Sequence, residues 1–206
     1  RKLLAGTEQA RQAGLASHHF GTAGKGGRCE VCKGAGCHDV ALDFMADVRT
    51  PCAACGGTGF GDAVLAVRWR DHTIADLLNL SVDQALDVFT GEPKLADRLR
   101  ILHDAGLGYL PLGQATRTLS GGERQRLHLA CHLMPGTRGR HLYLCDEPTA
   151  GLHMADVDRL ASVLRRLVDA GHTVVVTEHN QQLIVAADRV VALGPGGGAD
   201  GGRLVT

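Results

Sequence analysis

Two short cysteine motifs constrain the fold of this chain more than any other feature. CEVCKGAG begins at Cys29 and CAACGGTG begins at Cys52, so both follow the pattern C-x-x-C-x-G-x-G, with nineteen residues between the two cysteine pairs. A two-residue spacer lets one tight turn supply two thiolates, and a tetrahedral Zn²⁺ needs four ligands. The sequence therefore predicts a structural zinc site formed by Cys29, Cys32, Cys52 and Cys55.

Two other interpretations of the cysteines are a pair of reducible disulfides and a set of unrelated free thiols. No charged-then-apolar leader opens the chain and no apolar stretch is long enough to span a membrane, so we expect a cytoplasmic protein without membrane association. A reducing cytosol favours metal binding over disulfides. His38 is a weaker alternative ligand. The remaining cysteines are predicted to be small buried hydrophobic residues, namely Cys37, Cys131 and Cys145.

The net charge gives no general indication of nucleic-acid binding. The 22 basic and 22 acidic side chains cancel, so any contact with DNA must come from a local patch. Aromatic residues make up only 3% of the chain, which disfavours base stacking as the main mode of recognition. Four cations in or beside the cysteine motifs are candidate DNA contacts, although a solvated surface explains them equally well: Lys25, Arg28, Lys33 and Arg49.

The first half of the chain outside the cysteine motifs has helical patterns. Residues 1–14 predict an amphipathic helix that ends at Gly14. Leu95, Leu99 and Leu102 follow the spacing of one helix face, and Pro93 suits the first turn of that helix. The opening residues lack an initiator Met, and we therefore expect this chain to be a piece of a longer polypeptide.

The last ninety residues alternate between strand and helix patterns, which predicts a parallel sheet. We expect strands at 141–145, 173–177 and 189–193, and helices at 154–170 and 180–187. The β-branched run at 173–177 predicts a strand buried on both faces. Residues 203–205 are predicted to add an edge strand.

Acidic residues follow the first of these strands. Asp146 and Glu147 stand at its carboxyl end, where α/β sheets place their ligands. Asp146 can hold Mg²⁺, and Glu147 can polarise a water for attack on a γ-phosphate. His179 follows the next strand and could contact the same phosphate. A solvated turn is the alternative for Asp-Glu taken alone, and an ordinary surface or core histidine is the alternative for His179.

The segment LSGGERQR, from Leu119 to Arg126, precedes a helix. Ser120 and Glu123 alone form an ordinary capping box. Together the eight residues are similar to the signature motif of ATP-binding-cassette (ABC) ATPases, and the Asp-Glu strand and histidine follow in that family's order. The resemblance implies that the signature contacts ATP bound by an opposing cassette through the helix N-terminus. The residues implied are Ser120, Gly121, Gly122, Glu123 and Gln125.

The chain has no recognisable phosphate loop of its own. GTAGKGG at 21–27 is superficially similar to one, but His19 occupies the first glycine position and Gly26 the Ser/Thr position. We expect the phosphate loop to lie upstream of Arg1. The 206 residues alone should therefore hydrolyse little ATP.

Across nearly the whole chain the motifs resemble the C-terminal part of the UvrA family, the damage-sensing ATPases of bacterial nucleotide excision repair. The matching segments are KGGRCEVC, PCAACGG, LGYLPLGQATRTLSGGE, DEPTAGLH, VVVTEHN and LGPGGG. The resemblance implies an α/β fold, with the C-terminal half of an ABC ATPase domain, an inserted zinc module and a helical signature subdomain. It also implies ATP, Mg²⁺ and Zn²⁺ as cofactors, a homodimer, lesion-bearing double-stranded DNA as ligand, and a UvrB-like repair partner.

On this basis we divide the chain into four segments. They are a cassette portion at 1–24, the zinc module at 25–62, the helical signature subdomain at 63–118, and the C-terminal half of the ATPase domain at 119–206.

Two other functions stay open. The loop 17–23 and the residues Arg124 and His128 depart from the UvrA pattern, which is compatible with a drug-resistance paralogue acting on drug–DNA adducts. The paired cysteine motifs also resemble the cysteine-rich region of DnaJ-type chaperones. A DnaJ-like interaction module would leave Asp146, Glu147 and His179 without a role.

Overall fold

The computed structural model describes residues 1–42, 45–134, 139–196 and 201–205. The chain forms two compact units. The first comprises Arg1–Ser81 with Pro111–Gly113, and the second comprises Val82–Leu110 with Gln114–Thr206. Within the described residues, no helix is both long and apolar enough to cross a membrane.

The first unit contains short helices on either side of a β-hairpin. Its elements are α1 (Lys2–Ala5), α2 (Glu8–Gln12), β1 (Cys37–Leu42), β2 (Met45–Pro51), α3 (Asp62–Leu65) and α4 (Ile74–Asn79). The single helix predicted over 1–14 is wrong, because Thr7 starts a second helix. Its side chain accepts a hydrogen bond from the Ala10 amide at 3.2 Å, which is a helix N-cap interaction.

A β-hairpin lies between the two cysteine motifs of the first unit. Strands β1 and β2 are antiparallel, and Asp39 is opposite Arg49. Because the strands begin and end beside the cysteine motifs, the hairpin brings the two motifs together. Residues 43–44 at its turn lie outside the described part of the chain.

The second unit is a mixed α/β structure. Its elements are α5 (Val82–Val88), α6 (Pro93–Leu102), a π-helical turn (His103–Leu107), a 3₁₀ turn (Thr116–Thr118), α7 (Gly121–His132), β3 (Leu142–Asp146), α8 (Met154–Asp169), β4 (Thr173–Thr177) and α9 (Gln181–Val185). Strands β3 and β4 are parallel, with Asp146 beside Thr177. The predicted strand–helix–strand order is confirmed here, and so is Pro93 in the first turn of α6.

The apolar stripe of α8 forms the centre of the second unit. Leu160 and Leu167 are fully buried against Tyr143 and Cys145 of β3. Val174 and Val176 of β4 pack against the same cluster. Alternate residues of both strands therefore face α8, as expected for one covered face of a sheet.

Several sequence predictions about burial and strands are wrong. Strand β4 is not buried on both faces, because Val175 is 51% exposed and Leu144 of the neighbouring β3 is 73% exposed. Within the described residues the stretch 189–193 forms no strand, and Leu193 makes a single bridge to Leu204. That bridge is all that remains of the predicted edge strand at 203–205. Cys131 on α7 is exposed and Cys37 is only partly buried, against the prediction, whereas Cys145 is buried as predicted.

Candidate functional site

The hairpin brings the four predicted zinc ligands into one cluster. The four Sγ atoms of Cys29, Cys32, Cys52 and Cys55 all lie within 4.8 Å of one another, and all four residues are buried. The Sγ atoms of Cys32 and Cys55 are 3.7 Å apart. Sulfurs bound 2.3 Å from one tetrahedral Zn²⁺ would be separated by about 3.8 Å, so the cluster has the dimensions of a four-thiolate zinc site.

The two cysteine motifs are linked reciprocally through their backbones. The Cys29 amide donates to the Gly59 carbonyl at 2.8 Å, and the Cys52 amide donates to the Gly36 carbonyl at 2.9 Å. Each motif therefore fixes the first cysteine of the other. Because these bonds run both ways, neither motif can move without displacing ligands of its partner.

Backbone amides also surround the sulfur atoms. The Gly36 amide donates to Cys32 Sγ and the Gly59 amide donates to Cys55 Sγ, each at 3.3 Å. Burial acts to raise the pKa of the Cys32 thiol, but hydrogen bonds from the Gly36 and Gly34 amides and with the Cys55 and Cys29 side chains together lower that pKa to about 7. Burial raises the pKa of Cys52 to about 11. Donors aimed at sulfur suit thiolate ligands, which are the form that binds Zn²⁺.

The four candidate DNA-binding cations divide into two groups. Arg49 Nε lies 2.9 Å from Asp39 Oδ1 across the hairpin, and Arg28 Nε lies 3.6 Å from Glu30 Oε1. Lys25 and Lys33 are exposed. The two lysines are therefore more accessible to a phosphate backbone than the two arginines.

In the second unit, Glu147 and His179 meet at one pocket. Each follows the carboxyl end of its strand, and their side chains approach to 3.9 Å between Glu147 Oε1 and His179 Nδ1. The pocket has a volume of about 260 Å³. Its lining consists of Glu147, Thr149, Ala150, Gly151, His179 and Asn180. Asp146 ends β3 beside this pocket and is exposed.

The backbone of Glu147 has an unusual conformation. Its φ is +41°, in the left-handed region that favours glycine, where a side chain costs about 1–2 kcal/mol. Hydrogen bonds fix this turn: the Glu147 amide donates to the Thr177 carbonyl at 2.9 Å, and the Ala150 amide donates to the Glu147 carbonyl at 3.0 Å. Strain held in place by neighbouring bonds is typical of functional positions.

Glu178 is a site residue that the sequence analysis missed. Its carboxylate accepts hydrogen bonds from the Thr149 amide at 2.9 Å and from the Thr149 hydroxyl. It also accepts from the amides of His179 at 2.9 Å and Asn180 at 3.0 Å. The sequence signal that could have identified Glu178 was its position between the end of β4 and His179.

The signature segment begins α7 with the predicted capping box. The Glu123 amide donates to Ser120 Oγ at 3.2 Å, and the Ser120 amide donates to Glu123 Oε2 at 2.6 Å. The Tyr109 hydroxyl donates to Glu123 Oε1 at 2.5 Å. A Cβ on Gly121 would meet nothing within 4 Å, so the start of the helix is open.

The other signature residues are placed differently. A Cβ on Gly122 would lie 3.3 Å from the Ala150 carbonyl, so a glycine here permits close approach to the turn after β3. The Gln125 side chain is within hydrogen-bonding reach of the Cys145 thiol. The guanidinium Nη1 of Arg124 donates to the Leu119 carbonyl at 2.7 Å and thereby supports the loop before the helix. Gly122 is thus adjacent to the turn after β3, while the Gln125 side chain is directed at the strand itself.

Known proteins share the sequence and the structure of this chain over its whole length. No family model matches the chain. All of it aligns with the UvrABC system protein A of Thermus thermophilus at 48% identity, of Bacillus subtilis at 46%, and of Clostridium perfringens at 44%. The crystal structure of UvrA2 from Deinococcus radiodurans superimposes on the whole chain with a TM-score of 0.88 at 47% sequence identity.

The chain belongs to the UvrA family. The predicted fold class, α/β with a four-cysteine module, is therefore confirmed. The chain spans 21–22% of the length of these three UvrA relatives, and 25% of the UvrA2 chain.

Proposed function

We propose that this chain is part of an ATP-dependent DNA-binding ABC ATPase that recognises damaged DNA in nucleotide excision repair. The proposal depends on the placement of Glu147 and His179 at one pocket. The whole of this chain aligns with part of UvrA, which supports the same function. A module related only to DnaJ would have no use for that pocket. The division into segments 1–24, 25–62, 63–118 and 119–206 belongs to the same proposal.

Each residue at the pocket has a role in this proposal. Glu147 acts as the general base that orients and deprotonates the attacking water, and His179 donates a hydrogen bond to the γ-phosphate. Asp146, whose carboxylate is exposed, would hold Mg²⁺. Bound Mg²⁺ would neutralise charge on the phosphates. The short separation of Glu147 and His179 supports their acting on the same phosphate group.

The signature residues act on a second nucleotide. We propose that Ser120, Gly121 and Gly122 present their open helix start to ATP held by an opposing cassette. Glu123 keeps that start in shape through the capping box. Gln125 joins the signature helix to β3. This arrangement requires two cassettes, which supports the proposed homodimer.

The zinc module is assigned to DNA handling. Zn²⁺ held by Cys29, Cys32, Cys52 and Cys55 fixes the hairpin. The exposed Lys25 and Lys33 contact the phosphate backbone, with Arg28 and Arg49 contributing less because of their acidic neighbours. Backbone contacts suit damage of varied chemistry, since they do not depend on base identity. Delivery of the lesion to a UvrB-like partner completes the proposed pathway.

The deciding experiment measures DNA binding by the intact protein with plain, lesion-bearing and drug-loaded duplexes. We expect tighter binding to the lesion-bearing duplex, ATP dependence, and affinity that falls steeply with salt as phosphate contacts release counterions. A preference confined to the drug-loaded duplex would instead support the drug-resistance paralogue. Absence of salt dependence would contradict both.

A further inference from the structure

The two oxygens of the Glu178 carboxylate serve two different turns. Oε1 accepts both hydrogen bonds from Thr149, which lies in the turn after β3. Oε2 accepts both bonds from the turn after β4, from the amides of His179 and Asn180. The partners of Oε1 are 29 residues away in sequence, so this is not a local helix cap.

These two turns carry the residues that face each other across the pocket. Glu147 stands two residues before Thr149, and His179 directly follows Glu178. The turns are also joined by the strand ladder, by the bond from the Glu147 amide to the Thr177 carbonyl, and by the 3.9 Å approach of the Glu147 and His179 side chains. We propose that Glu178 is a positioning residue for ATP hydrolysis, which fixes Glu147 opposite His179 by joining the two turns.

The charge state of Glu178 suits this task. Burial acts to raise the pKa of Glu178, but hydrogen bonds from Thr149, Asn180 and His179 outweigh it and lower that pKa. The side chain is therefore an ionised acceptor at neutral pH, and its bonds are charge-assisted. Glu178 does not line the pocket, so it acts on the reaction only through the residues that it holds.

Glu178→Gln is the most informative substitution, because it preserves the shape of the side chain. A glutamine has one acceptor oxygen, which can serve one turn, and its NH₂ group would face N–H donors of the other turn. The link between turns should therefore fail while the packing stays the same. Asp188→Asn is the matched control, since it makes the same chemical change at an exposed carboxylate that is paired with Arg165 and belongs to neither turn.

The role of Glu178 rests on the proposed ATPase function, so the test in the intact protein uses two readouts. Hydrogen exchange of segments 146–152 and 177–182 reports the link itself and needs no activity. Steady-state ATPase reports its consequence. For Glu178→Gln we expect faster exchange in both segments and a kcat lowered about 10-fold to 100-fold, with a KM for ATP within about threefold of the parent. Asp188→Asn should match the parent in both.

Each outcome decides the proposal. Unchanged exchange in Glu178→Gln would overturn the link, and faster exchange with an unchanged kcat would overturn the positioning role. If Glu178→Gln fails to fold, Thr149→Val supplies the test, because it removes only the hydroxyl bond and should give a smaller change in the same direction. A parent protein without ATPase would overturn the proposed function instead, while the exchange comparison would still decide the link.

Discussion

The carbonyl oxygen of Thr22 lies 2.0 Å from the position that a Cβ on Gly34 would occupy. Gly34 also has a φ of +89°, in the left-handed region that glycine adopts most readily. Its counterpart in the second cysteine motif, Gly57, has a φ of +86°. Gly34 is therefore required by close backbone approach as well as by turn geometry, whereas at Gly57 an added Cβ would have ordinary contacts and only the positive φ favours glycine.

Gly34→Ala should destabilise the first unit severely. The added methyl group must displace the Thr22 backbone and also adopt a strained φ, which together cost about 3–5 kcal/mol. Gly56→Ala is the matched control, since Gly56 has a φ of +58° but an open space where its Cβ would lie. It should cost about 1–2 kcal/mol. Chemical denaturation of both variants and the parent measures the difference, and equal losses would contradict the steric argument.

Cys52→Ala should release the zinc and unfold the module locally. Cys52 is fully buried, and its loss leaves three ligands where a closed structural site needs four. Metal content after desalting should fall to near zero, and protease sensitivity should rise within residues 25–62. Cys131→Ala, at an exposed cysteine outside the cluster, should keep the metal content of the parent. Retained zinc in Cys52→Ala would show that the four-ligand assignment is wrong.

Glu147→Gln should allow ATP binding and block turnover. The amide cannot accept the proton of the attacking water, so we expect kcat in the intact protein to fall about 10²-fold to 10⁴-fold. Nucleotide affinity, measured by equilibrium binding, should change little. Glu8→Gln, at an exposed glutamate in α2, provides a control that should keep parental ATPase. Near-parental turnover by Glu147→Gln would remove Glu147 from the role of general base.

Lys33→Ala should weaken DNA binding more than Arg49→Ala. Lys33 is exposed, whereas the guanidinium of Arg49 already contacts Asp39 at 2.9 Å. Affinity for DNA falls with salt, and loss of one phosphate contact should make the slope of log affinity against log salt less negative by about 0.9. Binding measured between low and moderate salt tests this for both variants. A larger slope change for Arg49→Ala would reverse our ranking of the cations.

Glu123→Gln should reduce stability at neutral pH and have no effect in acid. Hydrogen bonds from the Tyr109 hydroxyl and the Ser120 amide lower the pKa of Glu123 below its ordinary value of 4.5. The ionised carboxylate therefore stabilises the fold above pH 4.5, and this contribution is lost as the pH falls through the lowered pKa. We expect a difference of about 1 kcal/mol at pH 7 that disappears as the pH falls through the lowered pKa of Glu123.

Urea denaturation of the parent and Glu123→Gln across this pH range measures that difference. Glu92→Gln serves as the control, because the Glu92 side chain makes no capping bond. A pH-independent difference between the parent and Glu123→Gln would show that the charge of Glu123 is not its source.

The sequence alone determined the features that depend on residue type and local spacing. The cysteine motifs, the capping box of Ser120 and Glu123, and the α8 stripe are recognisable because their chemistry repeats within a few residues. Strand β4 was found in the same way. The burial of β4 was not predicted correctly, because exposure depends on which elements cover each face of a sheet. Val175 lies on a face that the described residues leave open.

Only the tertiary structure decided which distant groups meet. The hairpin closes the cysteine cluster. Arg28 and Arg49 each pair with an acidic residue, whereas the two lysines of the module are exposed. The link from Glu178 to Thr149 spans 29 residues and has no sequence signature. A carboxylate between two turns is recognised only when β3 and β4 lie side by side, because hydrogen bonds depend on distances in space that sequence spacing does not fix.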